Sequence, residues 1–204
     1  MGRLVVLNNV TLDGVMQAPA RPDEDTRGGF THGGWAIPYN DPVMARIMGE
    51  GMAQSAGGSM LFGRRTYLDF YSVWPNRTDN PFTPVLNATQ KYVASTTLEE
   101  PLPWVNSTLL TGDVAEAVAR LKEQSEKDIM ILGSGELTES LMRHNLIDEF
   151  TLLIHPLVLG TGRRLFPDGG APAAFRLVKA VPTTTGVIIA TYQAAEPPTM
   201  PSMP

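Results

Sequence analysis

The chain has 204 residues, 43% of them apolar and 18% charged, and a net charge of −5 from 16 basic and 21 acidic side chains. One globular domain with a full core suits that length, and the charge balance argues against a nucleic-acid or polybasic membrane surface as the main business. The sequence contains no cysteine, which excludes disulfides, iron–sulfur clusters, thiolate zinc sites and cysteine nucleophiles and fits a reducing compartment.

Leu4-Val5-Val6-Leu7 reads as the centre of a buried strand over 3–9. The run is too short for a signal-peptide core or a membrane span, so a cytoplasmic location is expected. Asp13-Gly14 marks a turn. Residues 17–40, rich in Pro, Gly, Asp and Arg, read as a long loop, either an ordered lid or a disordered insertion. Asp41 can cap a helix over 41–55 with Pro42 in its first position, and Met44, Met48 and Met52 share one face as core. Residues 59–62 read as a second strand, 66–71 as a short helix, and 91–94 and 105–110 as further strands.

Residues 113–127 carry the clearest helical pattern, with Val114, Ala117, Val118 and Leu121 at i, i+3, i+4, i+7. Asp113 and Glu116 resemble a capping box. A buried strand over 128–132 and a helix over 136–144 follow. The alternation predicts an α/β sheet with parallel pairs. Beyond Asp148, strands are expected over 150–159, 173–181 and 186–193, with the last two antiparallel. The domain is expected to span 1–194, followed by a Pro-rich tail over 195–204.

Three stretches at predicted strand ends could carry chemistry. Ile131-Leu132-Gly133-Ser134-Gly135-Glu136-Leu137 joins a strand to a helix through small residues, a pattern that serves a phosphate or an ordinary turn. Thr138 stands where a Rossmann fingerprint needs its third glycine, so that domain is not supported. Gly63-Arg64-Arg65-Thr66 offers two guanidinium forks and a hydroxyl at a helix start, for phosphate or for solvent. Ser95-Thr96-Thr97 can hold a phosphate or cap a turn. Open α/β sheets bind ligands at the C-terminal ends of their strands, and together the three suggest a long polyphosphate ligand. No histidine pair has metal-ligand spacing, and no metal is expected. His155 can face a pocket or pack. Arg163-Arg164 reads as a surface or subunit-contact pair.

The sequence resembles a known family on five segments. Gly63-Arg64-Arg65-Thr66-Tyr67 is similar to a Gly-Arg-Lys-Thr-Trp/Tyr segment of dihydrofolate reductases and of the riboflavin-biosynthesis reductase domain. Residues 91–98 resemble their K-x-V-x-S-x-T-L segment, and 131–137 their second cofactor loop. Thr11-Leu12-Asp13-Gly14 is similar to the S-L-D-G of the riboflavin branch. Asp148-Glu149-Phe150, residues 155–162 and Leu165-Phe166 resemble that branch's closing run.

This dihydrofolate reductase-like resemblance, closest to the RibD C-terminal domain branch, implies a three-layer α/β sandwich. Its central sheet would be mostly parallel with an antiparallel C-terminal edge. It implies an NADPH-dependent reductase that transfers hydride to a small heterocyclic or carbonyl substrate, the alternative being an NADPH-binding sensor without turnover. Arg64 and Arg65, following Gly63, would face the pyrophosphate or the 2′-phosphate, with Thr66 on the pyrophosphate. Ser95 and Thr96 would lie near the 2′-phosphate and ribose. Leu132, Gly133, Ser134, Gly135, Glu136 and Leu137 would wrap the pyrophosphate and nicotinamide ribose. Leu12, Asp13 and Gly14 would border the nicotinamide. Counting from Trp35 and Pro38, the position of the folate enzymes' carboxylate falls on Asn40, with Asp41 next, and these two are the catalytic candidates. A lone reductase domain, acting as a homodimer without nucleic-acid or membrane partners, is the expected form.

Overall fold

The computed structural model describes residues 1–54 and 56–196. Ser55, at the end of the first expected helix, and residues 197–204 of the expected tail lie outside them. The frame is an eight-stranded sheet in the order β4-β3-β2-β5-β1-β6-β8-β7. Its strands are β1 (Leu4–Thr11), β2 (Ser59–Gly63), β3 (Gln90–Ala94), β4 (Ser107–Leu110), β5 (Ile129–Leu132), β6 (Glu149–His155), β7 (Ala174–Pro182) and β8 (Ile188–Ala195). Every pair from β4 across to β6 is parallel, while β6–β8 and β8–β7 are antiparallel. The mostly parallel sheet with an antiparallel C-terminal edge is therefore as expected.

Among the described residues, five α-helices cover its faces: α1 (Pro42–Gln54), α2 (Arg64–Val73), α3 (Phe82–Ala88), α4 (Val114–Gln124) and α5 (Gly135–Arg143). Strand alternation divides the apolar side chains between the two faces. Leu4, Val6, Leu61 and Ile131 pack with Val118 of α4 and Leu141 of α5. Met60, Phe62 and Val93 point the other way, toward Tyr67 of α2, Leu86 of α3 and Trp104. Met44 of α1 joins Leu153, Val187 and Ile189 on that same face. The result is three layers, helix–sheet–helix.

Several boundaries differ from the sequence-based expectation, each for a local reason. The sixth strand stops at His155 rather than at residue 159. Pro156 has no N–H for the ladder, and Leu159 and Gly160 turn away to donate to the Asp13 carboxylate. The second helix begins at Arg64, so both arginines belong to its first turn. The third helix was not expected at all, because it is a single short segment with Pro84 inside.

Lys91 is fully buried on β3. Its ammonium donates to the carbonyls of Leu86 (2.7 Å) and Thr89 (2.6 Å), closing the C-terminal end of α3, and stands 4.6 Å from the centre of the Trp104 ring. Burial pushes its pKa from 10.5 down to about 8.

Residues 17–40 are ordered. Val15, Ala18, Phe30, Trp35 and Ala36 form a small core of their own, and the Trp35 indole N–H donates to the Gln17 carbonyl at 2.7 Å. Buried Gln17 then links two loops. Its amide group donates to the carbonyls of Asp25 (3.1 Å) and Arg27 (3.0 Å) and its oxygen accepts from the Arg163 N–H (2.9 Å). Arg21 forms an ion pair with Asp69 of α2, so the loop is also fastened to that helix.

A candidate dinucleotide cleft at the strand ends

The C-terminal ends of β2, β3 and β5 open into one cleft of about 870 Å³. That volume is within the range of small-molecule sites. Three sequence segments meet there because their strands are neighbours in parallel register. β2 delivers Gly63, Arg64 and Arg65; β3 delivers Ser95 and Thr96; β5 delivers Ser134, Gly135, Glu136 and Leu137.

The segments are fixed to one another. The Gly63 N–H donates to the Ser134 hydroxyl at 2.9 Å. Gly133 holds φ at +65°, where a side chain is strained, and a Cβ there would stand 3.4 Å from the Thr66 methyl. Helices α2 and α5 both start at the cleft, and neither has a side chain capping its N-terminus. Unsatisfied amides and the positive dipole end at two helix starts, beside guanidinium groups, suit an anionic ligand.

Not every expected residue reaches the cleft. Thr66, Leu132 and Gly133 are not among the residues that line it, and neither are Leu12, Asp13 and Gly14. Asp13 is a staple between loops. Its carboxylate accepts from the Thr11 hydroxyl (2.5 Å) and from the Gly160 (2.8 Å) and Leu159 (3.2 Å) amides, and the Thr11 contact leads in holding it below the usual carboxylate range. Met16 and Gln17, just downstream, line the cleft instead. Ser95 lines it, but its hydroxyl accepts from the amides of Thr97 and Leu98, which is turn capping.

Asp41 and Asn40 lie outside the cleft lining. Asp41 is a helix cap: Oδ1 accepts from the Met44 N–H (2.7 Å), while Oδ2 accepts from the Thr184 N–H (2.6 Å) and hydroxyl (2.7 Å). The Met44 contact leads in holding this carboxyl below the usual range, so at neutral pH it has no proton to donate. Asn40 ends a 3-10 turn over Ile37–Tyr39. We therefore expect Asp41→Asn to lower the melting temperature while leaving catalysis by the folded protein near wild type. A collapse of kcat without loss of thermal stability would return Asp41 to the chemistry.

The sequence reading missed the opposite wall. Gln17, Asp25, Arg27, Arg163 and Arg164 all line the cleft. Arg163 and Arg164 are both exposed, as the surface reading expects, and the surface they occupy is the cleft wall. Its neighbours in space come from segments far away in sequence, so no local pattern marks it. Arg163 forms an ion pair with Glu136, and Arg164 Nε donates to the Asp13 carbonyl at 2.8 Å.

His155 packs behind this wall, fully buried. Its Nε2 is 2.9 Å from the Asn9 side-chain oxygen, and the rings of Trp35 and Tyr39 meet it edge-on at 5.1 and 5.4 Å. Its Nδ1 has no hydrogen-bond partner, and burial pushes the pKa down to about 4. The unfolded chain therefore binds a proton at higher pH than the folded one. The stability from keeping His155 neutral is complete above about pH 6.5 and is lost progressively as pH falls from there through about 4, roughly 3 kcal/mol at the limit. Denaturation of wild type and His155→Gln across that window checks this, with the wild type showing the steeper loss.

Among the described residues, no group of three His, Cys, Asp or Glu side chains is placed to hold a metal ion. No helix among them is long and apolar enough to cross a membrane.

Comparison with known proteins places this geometry in context. A Bacillus subtilis (strain 168) protein, the uncharacterized YyaP, is 30% identical over 140 residues, covering 66% of this chain and 72% of its own. A Shewanella sp. PV-4 protein ascribed to riboflavin biosynthesis has a similar structure, with TM-score 0.70 at 20% identity over 95% of this chain and 99% of that one. Enterococcus faecalis dihydrofolate reductase, solved with NADP(H) and RAB-propyl, superposes with TM-score 0.60 at 14% identity, covering 96% and 98%. The fold is dihydrofolate reductase-like. Residues 3–189 match the RibD C-terminal domain, and the chain belongs to that family.

Proposed function

We propose that the protein is an NADPH-dependent reductase that delivers hydride to a small heterocyclic or carbonyl substrate. The observation that carries this reading is the convergence of three strand ends, two uncapped helix N-termini and the Arg64-Arg65 pair on one cleft. Membership of the RibD C-terminal family supports it, as does the NADP(H) held by a structural neighbour of the same fold.

Arg64 and Arg65 would hold phosphate oxygens in forked charge-assisted contacts, with the first amides of α2 and α5 completing the cradle. When bound, NADPH supplies the hydride. The chain's own part is to orient the reactants and exclude water. The loop over residues 17–40 forms one wall of the cleft through Gln17, Asp25 and Arg27. Asp25 is paired with Arg27, whose contacts lead in holding the carboxyl below its usual range. Asp41 is similarly ionised, so neither carboxyl supplies the proton that accompanies hydride transfer.

Thermal unfolding tests the cofactor: NADPH at about a hundredfold its Kd raises Tm by about 5–10 °C. The absence of any shift removes the reading. Turnover is tested by loss of NADPH absorbance with pterins, pyrimidines, quinones and flavins. Binding with inertness across that panel favours a sensor over an enzyme. The same reading includes a cytoplasmic homodimer, for which gel filtration at twice the monomer mass is the check.

A further inference from the structure

Four charged side chains from four separate segments meet at one point of the cleft. Glu136 Oε1, in the first turn of α5, accepts from Arg163 Nη1 and lies 3.4 Å from Arg65 Nη1 and 3.6 Å from Arg27 Nη1. Arg65 comes from α2, Arg27 from the loop between β1 and α1, and Arg163 from the loop between β6 and β7. Asp25 takes Nε and Nη2 of Arg27, leaving Nη1 buried, without a hydrogen bond and on the Glu136 side.

One carboxylate oxygen among three guanidiniums leaves donors and positive charge in excess. The Glu136 side chain is itself 69% exposed, so each of these pairs is weak, salt-sensitive and open to exchange. A phosphate presents more acceptor oxygens, and up to two charges, to the same groups.

We propose that Glu136 is a built-in competitor: in the ligand-free protein its carboxylate holds an anion position shared by Arg27, Arg65 and Arg163, and a phosphate of the bound ligand displaces it. The inference rests on reading the cleft as a dinucleotide site. It changes the part assigned to Glu136 there, from a contact that wraps the cofactor to a group that must leave for the cofactor to bind. Its second consequence is mechanical. With Glu136 displaced, the ligand becomes the bridge between α2 and the two loops that carry Arg27 and Arg163.

Calorimetric titration of wild type and Glu136→Gln with NADPH tests this. The glutamine keeps the size and loses the charge, and the proposal expects Kd to fall about two- to fivefold at low salt. The difference narrows as salt rises. Glu136→Asp, which keeps the charge but reaches less far, falls between the two, and Tm values confirm that each variant is folded. Inorganic pyrophosphate is titrated in parallel. If the wild type binds pyrophosphate but not NADPH, the dinucleotide reading falls, and the competitor is judged on the pyrophosphate ranking alone. Unchanged or weaker binding by Glu136→Gln overturns the proposal, as does failure of the wild type to bind either anion.

Discussion

Replacing Arg65 with alanine weakens NADPH binding by about 1–3 kcal/mol, a rise in Kd of roughly five- to 150-fold, as expected for a lost charge-assisted contact. The substitution is a clean one. Arg65 lies in the first turn of α2, its side chain is 52% exposed, and its contact with Glu136 is long at 3.4 Å. An exposed pair of that kind adds little to stability, so the fold is expected to survive its loss. Among the described residues Arg64 makes no ion pair, and Arg64→Ala is the companion variant. Fluorescence titration with NADPH and NADH separates the roles. A greater loss for NADPH assigns the arginine to the 2′-phosphate, and equal losses assign it to the pyrophosphate. If neither variant changes either Kd, the arginine pair has no part in cofactor binding.

Gly162→Val is expected to destabilise the protein by about 3–5 kcal/mol, combining overpacking with a strained backbone. Gly162 has φ of +111°, and a Cβ there would stand 2.7 Å from a Phe30 ring carbon and 2.8 Å from a Val15 methyl. Phe30 and Val15 are buried members of the small core beneath the 17–40 loop, so neither can yield without opening it. The next residue is Arg163, whose N–H reaches the Gln17 side chain. The damage therefore spreads to the cleft wall, and NADPH binding is expected to weaken along with Tm. Gly162→Ala lies between valine and wild type. Urea denaturation placing the valine variant within about 0.5 kcal/mol of wild type would show that the loop accommodates the side chain.

Much of this architecture is legible in the sequence because its signals are local. The helix over α4 follows from the spacing of Val114, Ala117, Val118 and Leu121, and Asp113 does accept from the Glu116 N–H as its cap. The strands follow from short apolar runs, and the antiparallel end from the lack of a helix between the last two strands. The phosphate-type segments were readable because each is a strand end followed by small or basic residues.

What was not legible comes from contacts between distant segments. Nothing near Arg163 in sequence indicates that it meets Glu136, and nothing near Gln17 indicates that it ties residues 25–27 to residue 163. The composition of 17–40 left lid and disorder both open, and the burial of Phe30 and Trp35 decides for order. For Asp41 the sequence offered catalyst or cap, and the Met44 and Thr184 contacts show the cap.

The place of β1 in the sheet has a consequence for how the chain reaches this structure. The first strand of the sequence lies between β5 and β6, pairing Leu4 with Ile129 and Val5 with Glu149. Arg3 and its partner Asp128 are 125 positions apart. At about 5–20 residues per second of synthesis, β1 waits roughly 6–25 s for β5 to be made. During that time the Leu4-Val5-Val6-Leu7 run has neither neighbour to shield it. Closing so long a loop before the reward of pairing makes the centre of this sheet a slow step, and one exposed to aggregation. A nascent chain halted before residue 129 is therefore expected to need a chaperone, whereas one that has passed residue 155 holds every strand of the parallel sheet.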